Sequence, residues 1–192
     1  NLSAHKLRYL AVAGDMITES LYFEVYNKLK VHLLNGVGMT EVFGYGQNIE
    51  PISHNVIKIF SDTQVKIEIF KGSDYGKVFI STPSIPLGCN TWLETGDIGH
   101  YNQAEHTLHF YGRYKDIIIK SGSNIAPMEL EEVLNKLDYI EGCTIVGKKS
   151  EVWGEIICAF VVSKMDVSLK EINVYLAKYL ASYKKIDKII PI

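Results

Sequence analysis

The opening part of the chain combines short apolar runs with one helical pattern. Residues 7–12 are an apolar run of strand length, and residues 17–29 repeat apolar side chains at helical spacing. A second apolar run at 31–34 leads directly into a glycine-containing segment at 36–41, which we predict to be a loop. Strand, helix, strand and loop in this order indicate an α/β fragment. Ligands of such sheets lie beyond the C-terminal ends of the strands, where this loop falls.

Between about residues 48 and 111 the pattern becomes that of a β unit. Apolar residues alternate with charged ones at 65–69, and the runs 78–80 and 108–110 also have strand character. Turn-forming residues separate these runs at 61–63, 72–74 and 102–104. This pattern predicts a small, mostly antiparallel β unit.

Strands and helices mix in the last part of the chain, which is typical of an α+β domain. The predicted elements are strands at 117–119, 144–147 and 156–162, a turn at 122–124 and a helix at 127–137. Pro127 stands in the first turn of that helix, where proline is well tolerated. Ser168 and Glu171 match a capping box that opens another helix. Its apolar face consists of Ile172, Tyr175, Leu176 and Tyr179.

Composition narrows the classes of function. With 192 residues, 47% of them hydrophobic and 22% charged, the chain can bury a core and has none of the bias of a disordered protein. A formal net charge of −2 argues against a nucleic-acid partner, which requires a basic surface. Since no apolar run reaches 18 residues, we predict a cytoplasmic protein with no integral membrane segment. Wide spacing of Cys89, Cys143 and Cys158 favours reduced thiols over a disulfide framework or a catalytic cysteine.

Three polar segments carry the chemistry needed to hold a nucleotide, and they lie at 35–41, 94–97 and 112–116. Thr40 and Glu41 follow two glycines, and a hydroxyl beside phosphate with a carboxylate on magnesium is what phosphate chemistry requires. Asp97 can accept both hydroxyls of a ribose. Arg113 can bind ribose or phosphate through its planar guanidinium.

Each of these residues also has a purely structural interpretation. Thr40 and Glu41 fit an ordinary helix start, and Asp97 fits a turn. Arg113 fits a surface ion pair, and Lys115 by itself fits an exposed lysine. Taken singly, the residues favour these structural roles; all three segments in this order favour the nucleotide.

The remaining polar residues favour structure over chemistry. His106 and His109 are three apart in a strand-like segment, which puts them on opposite faces and argues against zinc. The three lysines near the end of the chain are predicted to form a solvated edge: Lys184, Lys185 and Lys188.

The same segments resemble motifs of the adenylate-forming superfamily, which includes acyl-CoA synthetases, non-ribosomal peptide adenylation domains and firefly luciferase. Residues 36–41 are similar to its Tyr-Gly-x-Thr-Glu motif, and residues 92–98 to its Trp-Tyr-x-Thr-Gly-Asp-Leu motif. Residues 112–116 and 122–131 resemble the family's hinge and the loop that follows it. Residues 13–15 resemble the small loop that lies against adenine. The resemblance covers nearly the whole chain.

The resemblance implies a role for each candidate residue. Thr40 would contact the α-phosphate, and Glu41 would hold Mg²⁺. Asp97 would bind the ribose hydroxyls, assisted by Arg113. The adenine slot would be lined by Gly14, Asp15 and Gly36, and Gly38 belongs to the same AMP-binding set.

The resemblance also implies a division into three parts. Residues 1–47 would end an α/β adenylate-binding lobe, residues 48–114 would form the β subdomain of that lobe, and residues 115–192 would form a mobile α+β C-terminal domain. Lys115 falls on the hinge, about which the family's small domain moves between two half-reactions. The first joins a carboxylic acid to AMP with release of pyrophosphate, and the second passes the acyl group to a thiol. The turn made by Ser121, Gly122 and Ser123 would face that thiol.

Departures from the family pattern limit what these residues can do. The aromatic residue that stacks on adenine in the family is Val37 here, and the family's Gly-Glu-Leu strand is Gly76, Lys77 and Val78. The glycine-rich triphosphate loop and the C-terminal Gly-Lys have no counterpart in the sequence. Both of these elements stabilise the charge that develops on pyrophosphate. We therefore expect this chain to be the C-terminal portion of such an enzyme and to be unable to form an adenylate by itself.

The function favoured is that of an acid–thiol ligase of fatty acid metabolism, which uses ATP, Mg²⁺ and coenzyme A to convert a fatty or aryl acid into its thioester. One alternative is an adenylation domain that loads the phosphopantetheine of a carrier protein. Another is a degenerate nucleotide-binding fragment without catalysis. The identity of the acid, the choice between CoA and a carrier protein, and homodimer formation stay open.

Overall fold

The computed structural model describes residues 6–14, 19–48, 55–86 and 91–192, and it divides them into two compact units. The first contains the described residues of Asn1–Ile69 and Ser73–Phe110, and the second contains Phe70–Gly72 and Tyr111–Ile192. Strands dominate both, and the predicted mixture of α/β and α+β structure is confirmed. The three-part division at 47 and 114 stays a prediction.

An eight-stranded sheet with one described helix makes up the first unit. Its elements are β1 (Tyr9–Ala13), α1 (Glu19–Leu29), β2 (His32–Met39), β3 (Phe43–Asn48), β4 (Val56–Ile59), β5 (Gln64–Ile69), β6 (Gly76–Ser81), β7 (Leu93–Asn102) and β8 (Thr107–Arg113). The strand order is β1-β2-β3-β4-β8-β7-β6-β5, so the predicted α/β fragment and β unit share one sheet. β1 pairs with β2 in parallel, whereas β2–β3, β3–β4, β4–β8, β5–β6 and β6–β7 are antiparallel.

The loop predicted at 36–41 is largely strand. β2 continues to Met39, where it pairs with Phe43 of β3, and the backbone N–H of Val42 donates to the carbonyl of Met39 at 3.1 Å. Thr40 and Glu41 therefore lie in a hairpin turn, and the interpretation of Thr40 as a helix start is wrong. Residues 36–39 are strand because β3 pairs with them through backbone hydrogen bonds. The local sequence, with its glycines, does not identify that partner strand.

The second unit is a five-stranded sheet with two α-helices. Its elements are a 3-10 turn (Tyr114–Asp116), β9 (Ile118–Lys120), β10 (Ser123–Ile125), α2 (Pro127–Leu134), β11 (Ile140–Ser150), β12 (Gly154–Ser163), α3 (Leu169–Leu176), a second 3-10 turn (Ser182–Lys184) and β13 (Lys188–Pro191). The order is β10-β9-β12-β11, with β13 parallel to β12. Apolar faces of α2 and α3 cover a core with β11 and β12 that includes Leu130, Leu134, Ile157, Ile172 and Leu176.

Both predicted helices of this unit form, with differences at their ends. α2 begins at Pro127 as predicted but ends at Leu134, three residues early. α3 starts directly after Ser168, although within the described residues the Ser168 side chain makes no capping hydrogen bond. Tyr179 lies beyond the end of α3 and contacts Tyr175 with ring centroids 5.3 Å apart. None of the helices in the described ranges is long and apolar enough to span a membrane.

Lys184 is buried, which corrects the prediction of a solvated edge. Its Nζ donates to both carboxylate oxygens of Glu129 in the first turn of α2, at 2.5 and 2.6 Å. Two further contacts hold the same segment. Asn173 of α3 exchanges two hydrogen bonds with the backbone of Ile186, and Lys120 pairs with Asp187 at 2.7 Å. These contacts set the path of the chain into β13.

Candidate functional site

Gly14 and Gly36, two of the predicted AMP-binding residues, lie next to each other. Ala13 ends β1 opposite Gly36 in the parallel register, and Gly14 follows Ala13 with a φ of 103°. A Cβ atom on Gly36 would meet only the carbonyl oxygen of Val12, at 3.8 Å. Asp15 lies outside the described residues. The structure thus brings two glycine segments, 22 positions apart in sequence, to the C-terminal end of one strand pair.

Thr40 and Glu41 are exposed at the tip of the β2–β3 hairpin. The register shifts between Val37 and Gly38, and a Cβ atom on Gly38 would lie 1.8 Å from the carbonyl oxygen of Phe43. Gly38 is therefore required by the close approach of the two strands. This backbone requirement is independent of any ligand.

Asp97 stands on a bulge in β7, within a strand instead of the predicted turn. Glu94 pairs with Phe79 and Ile98 with Lys77, so residues 95–97 of β7 face the single residue 78 of β6. Gly96 occupies the bulge with a φ of 75°, a conformation that favours glycine. Such bulges re-aim side chains that regular pairing would hold in the pleat.

The side chain of Thr95 stabilises this bulge through two hydrogen bonds. Its buried hydroxyl donates to the carbonyl oxygen of Val78 at 3.2 Å and accepts from the backbone N–H of Asp97 at 3.1 Å. The hydroxyl takes the place of a ladder bond that the bulge removes. The Thr-Gly-Asp sequence thus fixes the backbone from which the carboxylate projects.

Tyr45 is a residue of this site that sequence reasoning missed. It lies in β3, is 1% exposed, and its hydroxyl donates to Oδ2 of Asp97 at 3.4 Å. β3 and β7 are separated in the sheet by β4 and β8, so the contact joins strands that do not pair with each other. No local pattern could reveal it, because the two residues are 52 positions apart.

Arg113 and Lys115 belong to a cleft within the second unit. Arg113 is the last residue of β8, which continues past Phe110 into the second unit, and Lys115 is the middle residue of the 3-10 turn that follows; both are exposed. They line a cleft of about 490 Å³ together with Glu131 and Glu155. Burial raises the pKa of Glu131. The backbone N–H of Ile145, which donates to its carboxylate at 2.7 Å, partly offsets this increase.

The predicted thiol-side residues form a tight β-hairpin. Ser121 and Gly122 have φ angles of 50° and 78° and connect β9 to β10, whose first residue is Ser123. The turn thus lies at 121–122, one residue earlier than predicted. Two positive φ angles in a two-residue turn match the twist of the flanking strands. The backbone N–H of Ser121 also donates to the carbonyl oxygen of Trp153 at 2.8 Å.

Comparison with known proteins identifies the family that this sequence resembles. The family model described as the AMP-binding enzyme C-terminal domain matches residues 129–192. A 2-succinylbenzoate–CoA ligase of Lactococcus lactis is 29% identical over 96% of the chain, and a long-chain-fatty-acid–CoA ligase, FadD13, of Mycobacterium tuberculosis is 28% identical over 98%. Residues 129–192 therefore belong to this C-terminal domain family, and the resemblance of the chain to the adenylate-forming superfamily is confirmed. It spans 42% of the length of each of these two relatives.

Solved structures of adenylate-forming enzymes share the fold. Coronafacic acid ligase from Pectobacterium brasiliense superposes with a TM-score of 0.75 at 24% identity, covering 95% of this chain and 39% of that one. A fatty acyl-CoA synthetase of Mycobacterium tuberculosis gives a TM-score of 0.66 at 27% identity, covering 96% and 41%. The family model covers none of the three polar segments, so their nucleotide interpretation and the role of each residue stay predictions.

His106 and His109 make structural contacts within the first unit. His106 lies in the turn between β7 and β8 and not in a strand as predicted; its Nδ1 pairs with the Tyr101 hydroxyl at 2.5 Å and its Nε2 with the Phe60 carbonyl at 3.0 Å. His109, in β8, contacts the amide of Asn55 through Nε2 at 2.7 Å. These contacts hold loop and strand segments together.

Cys143 and Cys158 are free thiols, and Cys89 lies outside the described residues. Burial raises the pKa of Cys143 to about 12, with a further contribution from the negative charge of Glu131. A thiolate is needed for nucleophilic attack. Cys143 is thus poorly suited to catalysis.

We expect alkylation of native Cys143 at pH 8 to be at least about 100-fold slower than in the unfolded chain, because the thiolate is the reactive form. The rate should rise as pH approaches 12. Glu131→Gln removes the adjacent charge while its amide oxygen can still accept from Ile145, so labelling should accelerate several-fold. Mass spectrometry of iodoacetamide-treated protein measures this, with Glu132→Gln as the matched control. Labelling of native Cys143 at the unfolded rate would contradict the prediction.

Proposed function

We propose that this chain holds the nucleotide part of an acyl-adenylate in an ATP-dependent acid–thiol ligase of the acyl-CoA synthetase type. The observation that carries the proposal is that relatives aligned with more than nine-tenths of the chain are named CoA ligases. The complete reaction joins a carboxylic acid to AMP with loss of pyrophosphate. Coenzyme A then displaces AMP to give the thioester.

Asp97 is proposed to bind the ribose, with Arg113 assisting. The position of Asp97 on a β-bulge held by the Thr95 hydroxyl supports this role. A carboxylate that accepts hydrogen bonds from two hydroxyls at once needs a rigid backbone position. Gly14, Asp15 and Gly36 are proposed to line the adenine slot. The open space beside Gly14 and Gly36 supports the approach of a flat ring to the backbone.

Thr40 and Glu41 are proposed to face the phosphate groups. Both are exposed at a hairpin tip, and a carboxylate is the kind of hard oxygen ligand that Mg²⁺ takes beside substrate phosphates. The residues present therefore fit the ion, and Glu41 would hold it. Bound Mg²⁺ would offset the phosphate charge. Thr40 would donate a hydrogen bond from its hydroxyl to a phosphate oxygen.

The second unit is proposed to serve the thiol step. Lys115 lies in the short 3-10 turn next to the boundary between the two compact units, which supports its role as a hinge. The hairpin turn of Ser121 and Gly122, followed by Ser123, would face the thiol. Relatives named for an aryl acid and for long-chain fatty acids support either class of acid.

AMP should bind the 192-residue chain, and Asp97→Asn should weaken that binding roughly 10-fold or more, since hydrogen bonds to a charged group contribute about 1.5–3 kcal/mol. Isothermal titration calorimetry measures the dissociation constants. Asp62→Asn, an exposed aspartate in the turn between β4 and β5, is the matched control and should leave affinity unchanged. Equal losses in both variants, or no AMP binding by the unaltered chain, would overturn the assignment.

The complete protein should catalyse acid-dependent exchange between ATP and pyrophosphate, and added coenzyme A should then displace AMP and yield the acyl thioester. A phosphopantetheine-bearing carrier protein is the competing acceptor, and a kcat/KM for carrier above that for coenzyme A would favour it. Retained binding of a stable acyl-adenylate mimic without exchange, across a broad panel of acids, would instead identify a non-catalytic nucleotide binder.

A further inference from the structure

Tyr45 is fully enclosed in the first unit, yet its polar end contacts the proposed ribose carboxylate. The side chain packs in a core cluster with Val42, Ile57 and Leu108, and its hydroxyl donates to Oδ2 of Asp97 at 3.4 Å. A buried hydroxyl requires a polar partner. Here the partner is a carboxylate that is only half-buried and therefore also reaches the surface.

Two separate devices thus act on Asp97. The bulge and the Thr95 hydroxyl fix its backbone, but they leave the rotation of the carboxylate about the side-chain bonds undetermined. Tyr45, held by core packing, supplies a donor at a set position. The Tyr45 hydroxyl takes one of the roughly four lone-pair sites of an ionised carboxylate, and each ligand hydroxyl needs one more.

We propose that Tyr45 is a positioning residue for Asp97, orienting its carboxylate so that both ribose hydroxyls are met together. The inference rests on the proposed nucleotide function. Without the Tyr45 hydroxyl, the Asp97 carboxylate could still accept a hydrogen bond from one ribose hydroxyl. It would no longer be held in the orientation in which it accepts from both hydroxyls at once. Tyr45 therefore acts on the preference for ribose over deoxyribose more than on nucleotide affinity in general.

Tyr45→Phe tests this, because it removes only the hydroxyl and keeps the buried ring. Binding of AMP and of 2′-deoxy-AMP is measured by calorimetry on the 192-residue chain. We expect AMP affinity to fall roughly 10-fold or more, the loss of one hydrogen bond to a charged group. Affinity for 2′-deoxy-AMP should change less than about twofold, so the preference for AMP shrinks.

Tyr101→Phe is the matched control, since it removes a tyrosine hydroxyl that contacts His106 on the same sheet. It should leave both affinities unchanged. A second test combines Tyr45→Phe with Asp97→Asn. If Tyr45 acts through Asp97, its substitution should alter AMP affinity less than twofold in the Asp97→Asn background.

The outcomes separate this inference from the function on which it rests. Failure of the unaltered chain to bind AMP overturns both. Normal AMP binding with an unchanged AMP to 2′-deoxy-AMP ratio in Tyr45→Phe overturns the positioning role alone. Equal weakening of both ligands together with a lowered urea midpoint identifies a purely structural tyrosine and overturns it too.

Discussion

Lys184→Met is expected to lower the free energy of unfolding of the second unit by about 3–5 kcal/mol, the usual cost of breaking a buried ion pair. The Lys184 side chain is only 8% exposed, and both of its bonds to Glu129 are short. Methionine fills similar space but leaves the Glu129 carboxylate without its cation. Since single domains are stable by about 5–15 kcal/mol, this loss is a large fraction of the whole. Urea unfolding, with hydrogen exchange of the α2 and β13 amides, measures it.

Two variants define what the Lys184 result means. Lys185→Met changes the exposed neighbouring lysine and should shift stability by less than about 0.5 kcal/mol. The double replacement of Glu129 and Lys184 by methionine should recover much of the loss, because no buried charge is left unpaired. A double variant as unstable as the sum of the single ones would contradict the ion-pair explanation.

Gly38→Ala should disrupt the β2–β3 hairpin and displace Thr40 and Glu41 with it. The added Cβ atom would lie 1.8 Å from the carbonyl oxygen of Phe43, and backbone cannot move aside as a flexible side chain can. Overpacking usually costs about 1–3 kcal/mol, and we expect at least the upper end here. Thermal unfolding and AMP titration of the variant measure the two effects.

Gly36→Ala is the matched control on the same strand. Its Cβ atom would make only an ordinary contact with Val12 at 3.8 Å, so stability should change by less than about 1 kcal/mol. If Gly36 lines the adenine slot, AMP affinity should nonetheless fall. Equal stability of the Gly36→Ala and Gly38→Ala proteins would contradict the steric explanation.

Elements with local signals could be predicted from sequence. Alternation at 65–69 marked β5, and Pro127 and Ser168 marked the starts of α2 and α3. The end of α2 was less predictable, because the chain continues past the Asn135 C-cap in a tighter turn in which the backbone N–H groups of Lys136 and Leu137 donate three residues back, to Val133 and Leu134. The motifs indicated which residues bear chemistry, and the comparisons with known proteins confirmed the family resemblance on which that interpretation depended.

Long-range pairing could not be predicted. Glycines at 36 and 38 suggested a loop, whereas pairing with β3 extends the strand through both. Lys184 looked like one member of a solvated edge, but the fold places Glu129, 55 positions away, against it. In each case the missing information was the identity of a partner distant in the chain.

The sequence alone determined the chemical inventory of this protein: a hydroxyl and a carboxylate after glycines, an aspartate after Thr-Gly, and a basic pair before an apolar run. Local propensity and residue type are enough for that, since both are properties of short segments. Only the tertiary structure decided how these chemical groups are positioned. It turned the Asp97 segment into a bulge, aimed the Tyr45 hydroxyl at its carboxylate and set Gly14 beside Gly36, because backbone pairing and core packing act between residues that the chain keeps far apart.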